Sequence, residues 1–162
     1  MKLISIDPGF DKVGYAIFDK SDDNTSDFTY ITSDLIKTST KADHEKRLQQ
    51  VFEELQQIIK LHQVKLMVIE KLFMFKNQKT ITTVSQAIGV IELAGALNGL
   101  KIVRLTPLQI KQIVTGNGAA DKQAVQKMIE LTLADKIVIK DDDQADAIAC
   151  GLAYCYQNQN LL

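Results

Sequence analysis

Short apolar runs and longer helical patterns alternate along the chain, and together they predict five strands and five helices. Largely apolar runs bounded by turn residues are typical of strands. The predicted strands cover residues 2–7, 13–19, 28–36, 65–70 and 101–105. Apolar residues at three-and-four spacing predict helices at 43–60, 80–98, 107–114, after 121, and 143–156. Asp43 and Asp121 are placed to cap the helices that follow them.

The order of these elements predicts an α/β fold built on one mixed sheet. Turn residues such as Pro8-Gly9 join the first three strands, which favours an antiparallel meander. Helices then alternate with the last two strands, so parallel strands and helices on both faces of the sheet are expected. We expect strand one, ending in Asp7, and strand four, ending in Glu70, to be central neighbours. Ligands of such sheets gather at strand ends near the sheet centre.

Four acidic residues lie where buried segments meet polar ones. Asp7 and Glu70 close apolar runs, while Asp143 and Asp146 open the last predicted helix, where their spacing places them on one face. Buried carboxylates are costly unless a cation neutralises them. Oxygen ligands of this kind suit Mg²⁺ or Mn²⁺. If the fold gathers all four, the chemistry they suit is phosphodiester hydrolysis with two metal ions about 4 Å apart.

Each acid also has a structural interpretation that the sequence leaves open. Asp7 is suited to a turn, Glu70 to a strand end at the surface, and Asp143 to a helix cap. Residues 141–142 are acidic as well and compete with Asp143 for either role. Small residues that would let the last helix press against the sheet are Ala145, Ala147 and Ala149.

The net charge of −1 conceals a basic middle segment. Residues 71–127 carry eight lysine or arginine residues and two acids, a local net charge of +6, which leaves −7 for the remainder. This asymmetry suggests a polyanionic partner, although a solvated basic face gives the same count. Segment 71–76 interleaves apolar and basic residues, which suits stacking on an unpaired base beside phosphate contacts. We expect one of Phe73 and Phe75 to be buried and the other exposed.

Length and composition are typical of one globular domain spanning residues 1–162. Apolar residues make up 46% and charged residues 24% of the chain. Apolar stretches are too short for a membrane span or a signal peptide, so we expect a cytoplasmic protein without a membrane partner. Cys150 and Cys155 are spaced too far apart on a predicted helix for a disulfide and are expected to be reduced core residues. His44 and His62 lack partners at zinc-site spacing.

Three motifs resemble the acidic motifs of RuvC-type Holliday junction resolvases. They are Ile6-Asp7-Pro8-Gly9, Val68-Ile69-Glu70-Lys71-Leu72-Phe73 and Asp143-Gln144-Ala145-Asp146-Ala147-Ile148-Ala149. Intervening stretches that also look similar are Lys76-Asn77, Gln86-Ala87-Ile88-Gly89-Val90 and the run from Gln109 to Gly118. The likeness covers nearly the whole chain in a consistent order, and the compact form resembles versions carried by bacteriophages, which would place it in the host-cell cytoplasm.

The resemblance implies a ribonuclease-H-like fold and a homodimer that resolves four-way DNA junctions by symmetric paired nicks. The metal-binding catalytic acids that it implies are Asp7, Glu70, Asp143 and Asp146. The implied cofactor is Mg²⁺, for which Mn²⁺ substitutes, at two ions per active site. Lys111 is implied to act near the cleaved backbone together with Lys122, and Phe73 to insert near the junction centre. The expected DNA-binding residues are Lys71, Phe73, Phe75, Lys76, Lys79, Lys111 and Lys122.

Two features of the middle segment extend these expectations. Lys111 and Lys122 flank the turn at 116–118, whose backbone amides are expected to approach phosphate; ordinary surface lysines are the alternative. The helix at 80–98 is our candidate dimer interface, because a C₂ dimer supplies two active sites for two cuts. Its small residues, which permit close backbone approach there or against the sheet, are Ala87, Gly89, Ala94, Gly95 and Ala96.

The chain departs from the family's pattern in two places. The acidic run 141–143 offers extra candidate ligands. The basic tail of many bacterial members does not follow the last predicted helix, so a helicase partner is left open.

Other functions also stay open at this stage. Preferential cleavage of RNA–DNA hybrids would indicate a ribonuclease H, and binding without nicking would indicate a non-catalytic junction-binding protein. An ATP-binding protein of the actin and sugar-kinase type also begins with Asp near Gly on its first strand. Its two lobes need a much longer chain, and Gly9 here lacks the Thr-rich phosphate loop that would follow it.

Overall fold

The computed structural model describes residues 1–21, 27–71, 78–134 and 137–157, with the side chains of 78–80 left outside the description. The strands are β1 (Lys2–Asp7), β2 (Lys12–Lys20), β3 (Phe28–Lys37), β4 (Leu66–Glu70) and β5 (Lys101–Leu105). The helices are α1 (His44–His62), α2 (Gln78–Leu97), α3 (Pro107–Thr115), α4 (Lys122–Leu133) and α5 (Asp142–Gln157). The sequence pattern therefore predicted each of these elements, and the bounds that it gave agree to within about two residues; it set no end for α4.

The five described strands form one mixed sheet in the order β3-β2-β1-β4-β5. Strand β1 pairs antiparallel with β2, and β2 pairs antiparallel with β3, which confirms the meander. On its other side β1 pairs parallel with β4, and β4 pairs parallel with β5. The expectation that β1 and β4 are central neighbours is confirmed, and Asp7 and Glu70 therefore end at the same edge of the sheet.

Helices cover both faces of the sheet, as expected. Because side chains alternate along a strand, Leu3 and Phe18 point into one core while Ile4 and Ile17 point into the other. The first core is completed by α3, α4 and α5, and the second by α1 and α2. Buried apolar residues on both sides of β1 and β4 explain why these strands appear in the sequence as continuous apolar runs.

Helix α5 lies directly on β1 and β2 because small residues occupy the points of closest approach. A side-chain carbon added at Gly14 would stand 2.0 Å from the backbone oxygen of Asp143, and one at Gly151 would stand 2.2 Å from the Phe18 ring. Ser5 lies in the same interface, where its hydroxyl donates to the Ala147 carbonyl at 2.7 Å. The predicted small residues of α5, which are all buried, are Ala145, Ala147 and Ala149. This close approach carries the first turn of α5 to the strand-end edge.

Some local expectations are corrected by the structure. Asp43 occupies the cap position of α1, but its side chain makes no capping hydrogen bond, whereas Asp121 accepts from the Ala124 amide as expected. The stripe of small residues on α2 is split between two faces. Its members that pack against the sheet side are Ala87, Ala94 and Gly95, while Gly89 and Ala96 are exposed. The interpretation of the whole stripe as a dimer interface is therefore wrong, because over half of it is core.

Two further observations concern the described residues as a group. Cys150 and Cys155 are buried free thiols, which confirms that they are reduced core residues. Within the part of the chain that the structure covers, no helix is long and apolar enough to cross a membrane.

Candidate active site

The carboxyl ends of β1 and β4 bring Asp7 and Glu70 together at the centre of one sheet edge. The parallel register pairs Ile6 with Ile69, so the two acids follow neighbouring positions. Both side chains are half-buried, because helices cover the sheet on either face. Placing two carboxylates side by side in a partly dry environment is unfavourable, and parallel pairing of these two strands makes it unavoidable.

The first turn of α5 adds Asp143 and Asp146 to the same edge. Asp143 passes directly over Gly14, and Gly14 pairs with Asp7 in the register of β1 and β2. Asp146 lies one turn further along α5 and lines a cleft together with Glu70. All four predicted acids are therefore brought to one region by β1, β4 and α5.

Asp141 takes the structural role that the sequence had left open among the neighbouring acids. Its carboxylate accepts from the Asp143 amide at 3.1 Å, which caps the start of α5, and it forms an ion pair with Lys12 at 2.5 Å. The Lys12 ammonium holds the pKa of Asp141 below its usual range. Asp142 is exposed and lies 3.4 Å from Lys122. Asp143 is thus released from capping and remains available to the site.

The electrostatics of the four acids show that they act on one another. Burial raises the pKa of Asp7 to about 8, reinforced by the charges of Glu70, Asp146 and Asp143. Burial, followed by the charge of Asp146, raises the pKa of Glu70 to about 7, against the opposing effect of Lys111 and Lys122.

The two helix acids are shifted in the same direction. Burial raises the pKa of Asp143, and the charge of Asp141 adds to it. Burial also raises the pKa of Asp146, while Lys122, whose ammonium lies 3.6 Å away, opposes the shift. Every member of the set therefore binds protons more tightly than an ordinary carboxyl, because burial disfavours the ionised form and neighbouring carboxylates add to the effect.

The chemistry of the donor set fits a divalent cation. It consists of carboxylate oxygens alone, the ligands preferred by Mg²⁺ and Mn²⁺, and a bound cation would relieve the repulsion just described. As the side chains stand, no group of three or more His, Cys, Asp or Glu residues within the described ranges converges on a single point. Shared coordination of an ion by these four acids thus remains a prediction.

Two clefts flank the acids, and each takes two of them. A cleft of about 180 Å³ is lined by Glu70 and Asp146 together with Lys111 and Lys122. A wider cleft of about 400 Å³ is lined by Asp7 and Asp143 together with the turn from Pro8 to Lys12. The first cleft combines carboxylates with ammonium groups, as expected of a site that handles a phosphate between bound cations.

The predicted DNA-binding residues are only partly covered by the structure. Lys111, on α3, and Lys122, at the start of α4, both reach the smaller cleft, and Lys71 is exposed directly after β4. Phe73, Phe75 and Lys76 lie outside the described residues, as does the side chain of Lys79. The expectation that one of Phe73 and Phe75 is buried therefore stays a prediction.

The turn between Lys111 and Lys122 does not present free amides, contrary to expectation. The Asn117 amide donates to Thr115 Oγ1, the Gly118 amide to Gln112 Oε1, and the Ala119 amide to Asn117 Oδ1. Gly116 ends α3 in the left-handed region with φ of 78°. The glycines serve the turn itself, because its polar side chains already satisfy its amides.

Sequence reasoning missed residues that support the acids without being acidic. Gly14 interrupts an apolar strand pattern, which often marks a close backbone approach. Arg47 falls on the stripe of Val51, Leu55 and Ile59, so its burial was readable from its position on α1. Lys12 carried no such signal, because its partner Asp141 is distant in the chain.

Comparison with known proteins agrees with this geometry. Residues 3–155 match the family model of the crossover junction endodeoxyribonuclease RuvC. The RuvC of Caldicellulosiruptor saccharolyticus is 40% identical over 162 residues, covering 100% of this chain and 96% of that protein. The RuvC of Fusobacterium nucleatum is 42% identical over 154 residues, covering 95% of this chain and 80% of that protein.

A solved structure extends the agreement to the fold. The Thermus thermophilus RuvC in complex with a Holliday junction substrate superimposes with a TM-score of 0.89 at 22% identity, covering 98% of this chain and 95% of that one. The mixed sheet with helices on both faces is thus the ribonuclease-H-like fold that the motifs implied. On the strength of the family match across nearly its whole length, the chain belongs to the RuvC family of crossover junction endodeoxyribonucleases.

Proposed function

We propose that this chain is a metal-dependent endonuclease that resolves four-way DNA junctions by paired nicks. The observation that carries the proposal is the single edge where Asp7 and Glu70 meet the acids of α5 beside Lys111 and Lys122. Family membership supports the reaction class, and the Thermus thermophilus relative was solved with a Holliday junction substrate, which supports the substrate.

The acids are assigned to hold the cofactor. Asp7, Glu70, Asp143 and Asp146 would bind Mg²⁺ or Mn²⁺, in the proposed form two ions per site. When bound, such ions supply an activated water and neutralise charge on the departing 3′-oxygen. Because the pKa values of Asp7 and Glu70 are raised to about 8 and about 7, these carboxyls must release protons before they become ligands.

The two lysines are assigned to the phosphate. Lys122 contacts Asp146 at 3.6 Å and Asp142 at 3.4 Å, so it supplies positive charge to the acids in the metal-free protein. Neutralising those acids by other means would release its ammonium toward the backbone of the cut strand. Lys111 lines the same cleft and is proposed as a catalytic residue that stabilises charge on the reacting phosphate.

The DNA surface is proposed to continue from the smaller cleft along the segment after β4. Lys71 is exposed there and suited to a phosphate contact. Lys76 and Lys79 are assigned to phosphates, and Phe73 and Phe75 to the unpaired junction centre, on the strength of the family motif. Stacking of an aromatic side chain on an unpaired base is worth about 1–3 kcal/mol and needs no base sequence.

The proposed homodimer uses the exposed side of α2. Leu93 and Leu97 are 52% and 64% exposed, and the small residues Gly89 and Ala96 lie exposed on the same helix. Exposed leucines beside small residues suit a close helix–helix contact across a two-fold axis. Two copies related in this way would present two active sites to the two strands that are cut.

A panel of labelled substrates tests the function. Purified protein is incubated with a four-way junction, a fork, an RNA–DNA hybrid and a linear duplex, with and without Mg²⁺ or Mn²⁺. We expect symmetric nicks in the junction that require the ion. Preferred cleavage of the hybrid would instead indicate a ribonuclease H, and junction binding without nicks at any ion concentration would indicate a non-catalytic module.

A charge placed on α2 tests the dimer. Leu93→Glu should give a monomer by light scattering and should convert paired nicks into slow single nicks. Leu131→Glu is the matched control, because Leu131 is 67% exposed on α4. An L93E protein that remains dimeric would move the interface elsewhere on the chain.

A further inference from the structure

Arg47 is buried on the first turns of α1, yet it contacts none of the four acids. It is 8% exposed, and among the residues that the structure describes it and Lys20 are the buried cations. A buried guanidinium is costly unless its donors are satisfied. Its contacts all lead to the turn that follows Asp7 or to Thr38, which holds the same turn.

The contacts of Arg47 converge on Phe10 and Asp11. The guanidinium donates through Nη2 to the Phe10 carbonyl at 3.2 Å and to the Asp11 carboxylate, and its central carbon lies 3.9 Å from the centre of the Phe10 ring. Through Nε it donates to Thr38 Oγ1 at 2.9 Å. The guanidinium therefore engages the turn with backbone, ionic and aromatic contacts at once.

Thr38 reinforces the same grip from the end of β3. Its hydroxyl donates to the Phe10 carbonyl at 2.8 Å, and its amide donates to the Asp11 carbonyl at 3.0 Å. His44 stacks on the Phe10 ring with 4.8 Å between ring centres. Residues from α1 and from the end of β3 thus fix the turn on the side away from α5.

The other end of the turn is fixed to α5. Lys12 pairs with Asp141, which caps the helix that carries Asp143. The turn between has little slack, because a side-chain carbon at Gly9 would stand 2.0 Å from the Lys12 oxygen. Asp7 precedes this turn and Asp143 faces it across the wider cleft. The turn therefore connects Asp7, at the end of β1, to α5, the helix that carries Asp143 and Asp146.

We propose that Arg47 is a positioning residue for the metal site: by clamping the turn at Phe10 and Asp11, it fixes where Asp7 stands relative to Asp143. The proposal rests on the proposed function insofar as the acids bind cations. Arg47 itself touches neither substrate nor ion. Loss of the Arg47 side chain should lower the affinity for the cation while the protein stays folded, since the strands and the helix that carry the acids are held by the two hydrophobic cores.

The test measures Mn²⁺ binding by calorimetry on the full chain without DNA, beside thermal unfolding. We expect Arg47→Met to weaken Mn²⁺ binding by about tenfold, the low end for a residue that supports metal ligands. Arg47→Lys keeps the charge but loses the planar contacts, so its Mn²⁺ affinity should lie between those of the wild type and R47M. Lys60→Met removes the same charge from the far end of α1, where Lys60 is exposed, and should bind Mn²⁺ as the wild type does.

A second variant guards against unfolding. Thr38→Val removes the hydroxyl that bridges Arg47 and Phe10 at nearly constant volume, and it should also weaken Mn²⁺ binding. It replaces R47M as the test if R47M does not fold. The proposal would be overturned if folded R47M bound Mn²⁺ as tightly as the wild type, or, where R47M is unfolded, if folded T38V did so. It would also be overturned if the wild type bound no Mn²⁺. Wild-type protein that binds Mn²⁺ but cleaves no junction would sink the proposed function alone.

Discussion

The two ends of α5 treat buried charge in opposite ways. At the end of the helix, the ammonium of buried Lys20 donates to the Cys155 carbonyl at 2.9 Å, so a positive charge meets the negative end of the helix dipole. At the start, Asp143 and Asp146 face Asp7 and Glu70, and burial raises the pKa values of all four, with the charges of neighbouring carboxylates adding to the shift.

This difference separates the end of α5 that contributes to stability from the end that carries the proposed function. The helix dipole favours the charge at each end, so the dipole does not distinguish them. What distinguishes them is compensation. Lys20 meets a helix carbonyl in a dry contact, while Lys111, Lys122 and Lys12 only partly offset the raised pKa values of the acids at the other end. Incompletely compensated carboxylates at one end of a well-packed helix are expected of a functional site.

Removing one acid at the start of α5 should have the largest effect. Asp146→Asn is expected to reduce junction cleavage on the order of 10²–10³-fold, the range for losing one group that stabilises reacting charge. Metal-free stability should stay the same or rise, because one repelling charge is gone. Cleavage assays and thermal unfolding of the same preparation check both parts; a lower melting temperature would mean that Asp146 is structural.

Displacing the start of α5 without touching an acid should come next. Gly14→Ala places a carbon 2.0 Å from the Asp143 oxygen, so the helix must shift. We expect a cost of about 1–3 kcal/mol in unfolding free energy and a disproportionate loss of cleavage.

The matched control for that displacement is Gly89→Ala, whose added carbon meets nothing within 4 Å in its own chain. Because Gly89 lies on the proposed dimer face, this control is made in the monomeric Leu93→Glu protein, where the unfolding free energy should stay the same or rise by up to about 1 kcal/mol. Unfolding curves for both variants decide the matter. A G14A protein as stable and active as the wild type would show that the close approach is not needed.

The opposite end of α5 should affect stability alone. Lys20→Met keeps the apolar stem but leaves the Cys155 carbonyl without its donor, at a cost of about 1–3 kcal/mol. Cleavage by the folded variant should match the wild type. Lys65→Met is the control, because Lys65 is exposed near the same end of the sheet. Loss of cleavage in folded K20M would contradict the claim that this end of α5 affects stability alone.

The smallest expected effect is the pH dependence of the metal-free protein's stability. Asp7 has a pKa of about 8 when folded and 3.8 as its ordinary value, so the folded state binds the extra proton between these limits. Stability linked to Asp7 is therefore fully present below about pH 4 and is lost as the pH rises toward 8. Melting temperatures from pH 5 to 9 should fall.

Asp7→Asn should flatten that part of the pH profile. At pH 8.5 the variant should melt higher than the wild type, by roughly 2–4 °C for each kcal/mol of repulsion removed. Saturating Mg²⁺ should also flatten the wild-type profile, because a bound cation stabilises the ionised acids. A wild-type profile that rises steadily across this range would contradict the repulsion.

Much of the fold was predictable because it depends on local pattern. Strands β1 and β4 appear as continuous apolar runs, and their central pairing followed from the order of elements. The four acids could be named because each sits at the end of such a run or helix. By contrast, the split of the α2 stripe depends on how the helix is rotated against the sheet, which small residues on both faces do not specify.

The supporting contacts were harder to foresee for a related reason. Lys12 and Asp141 are 129 residues apart, so their pairing depends on the finished fold. Asp141 and Asp143 are both near a helix start, and composition cannot say which of them caps it. The contact of Gly14 with α5 was signalled only by a small residue inside a strand, whose partner stayed unknown until α5 was placed.

The most direct test of the central claim is a crystal structure of the protein soaked in Mn²⁺, with anomalous diffraction to locate the ion. The account predicts anomalous peaks within coordination distance of oxygens from Asp7, Glu70 and the acids of α5, with Lys122 withdrawn from Asp146. Strong Mn²⁺ peaks elsewhere, with Lys122 still in contact with Asp146 and these carboxylates bare, would contradict it.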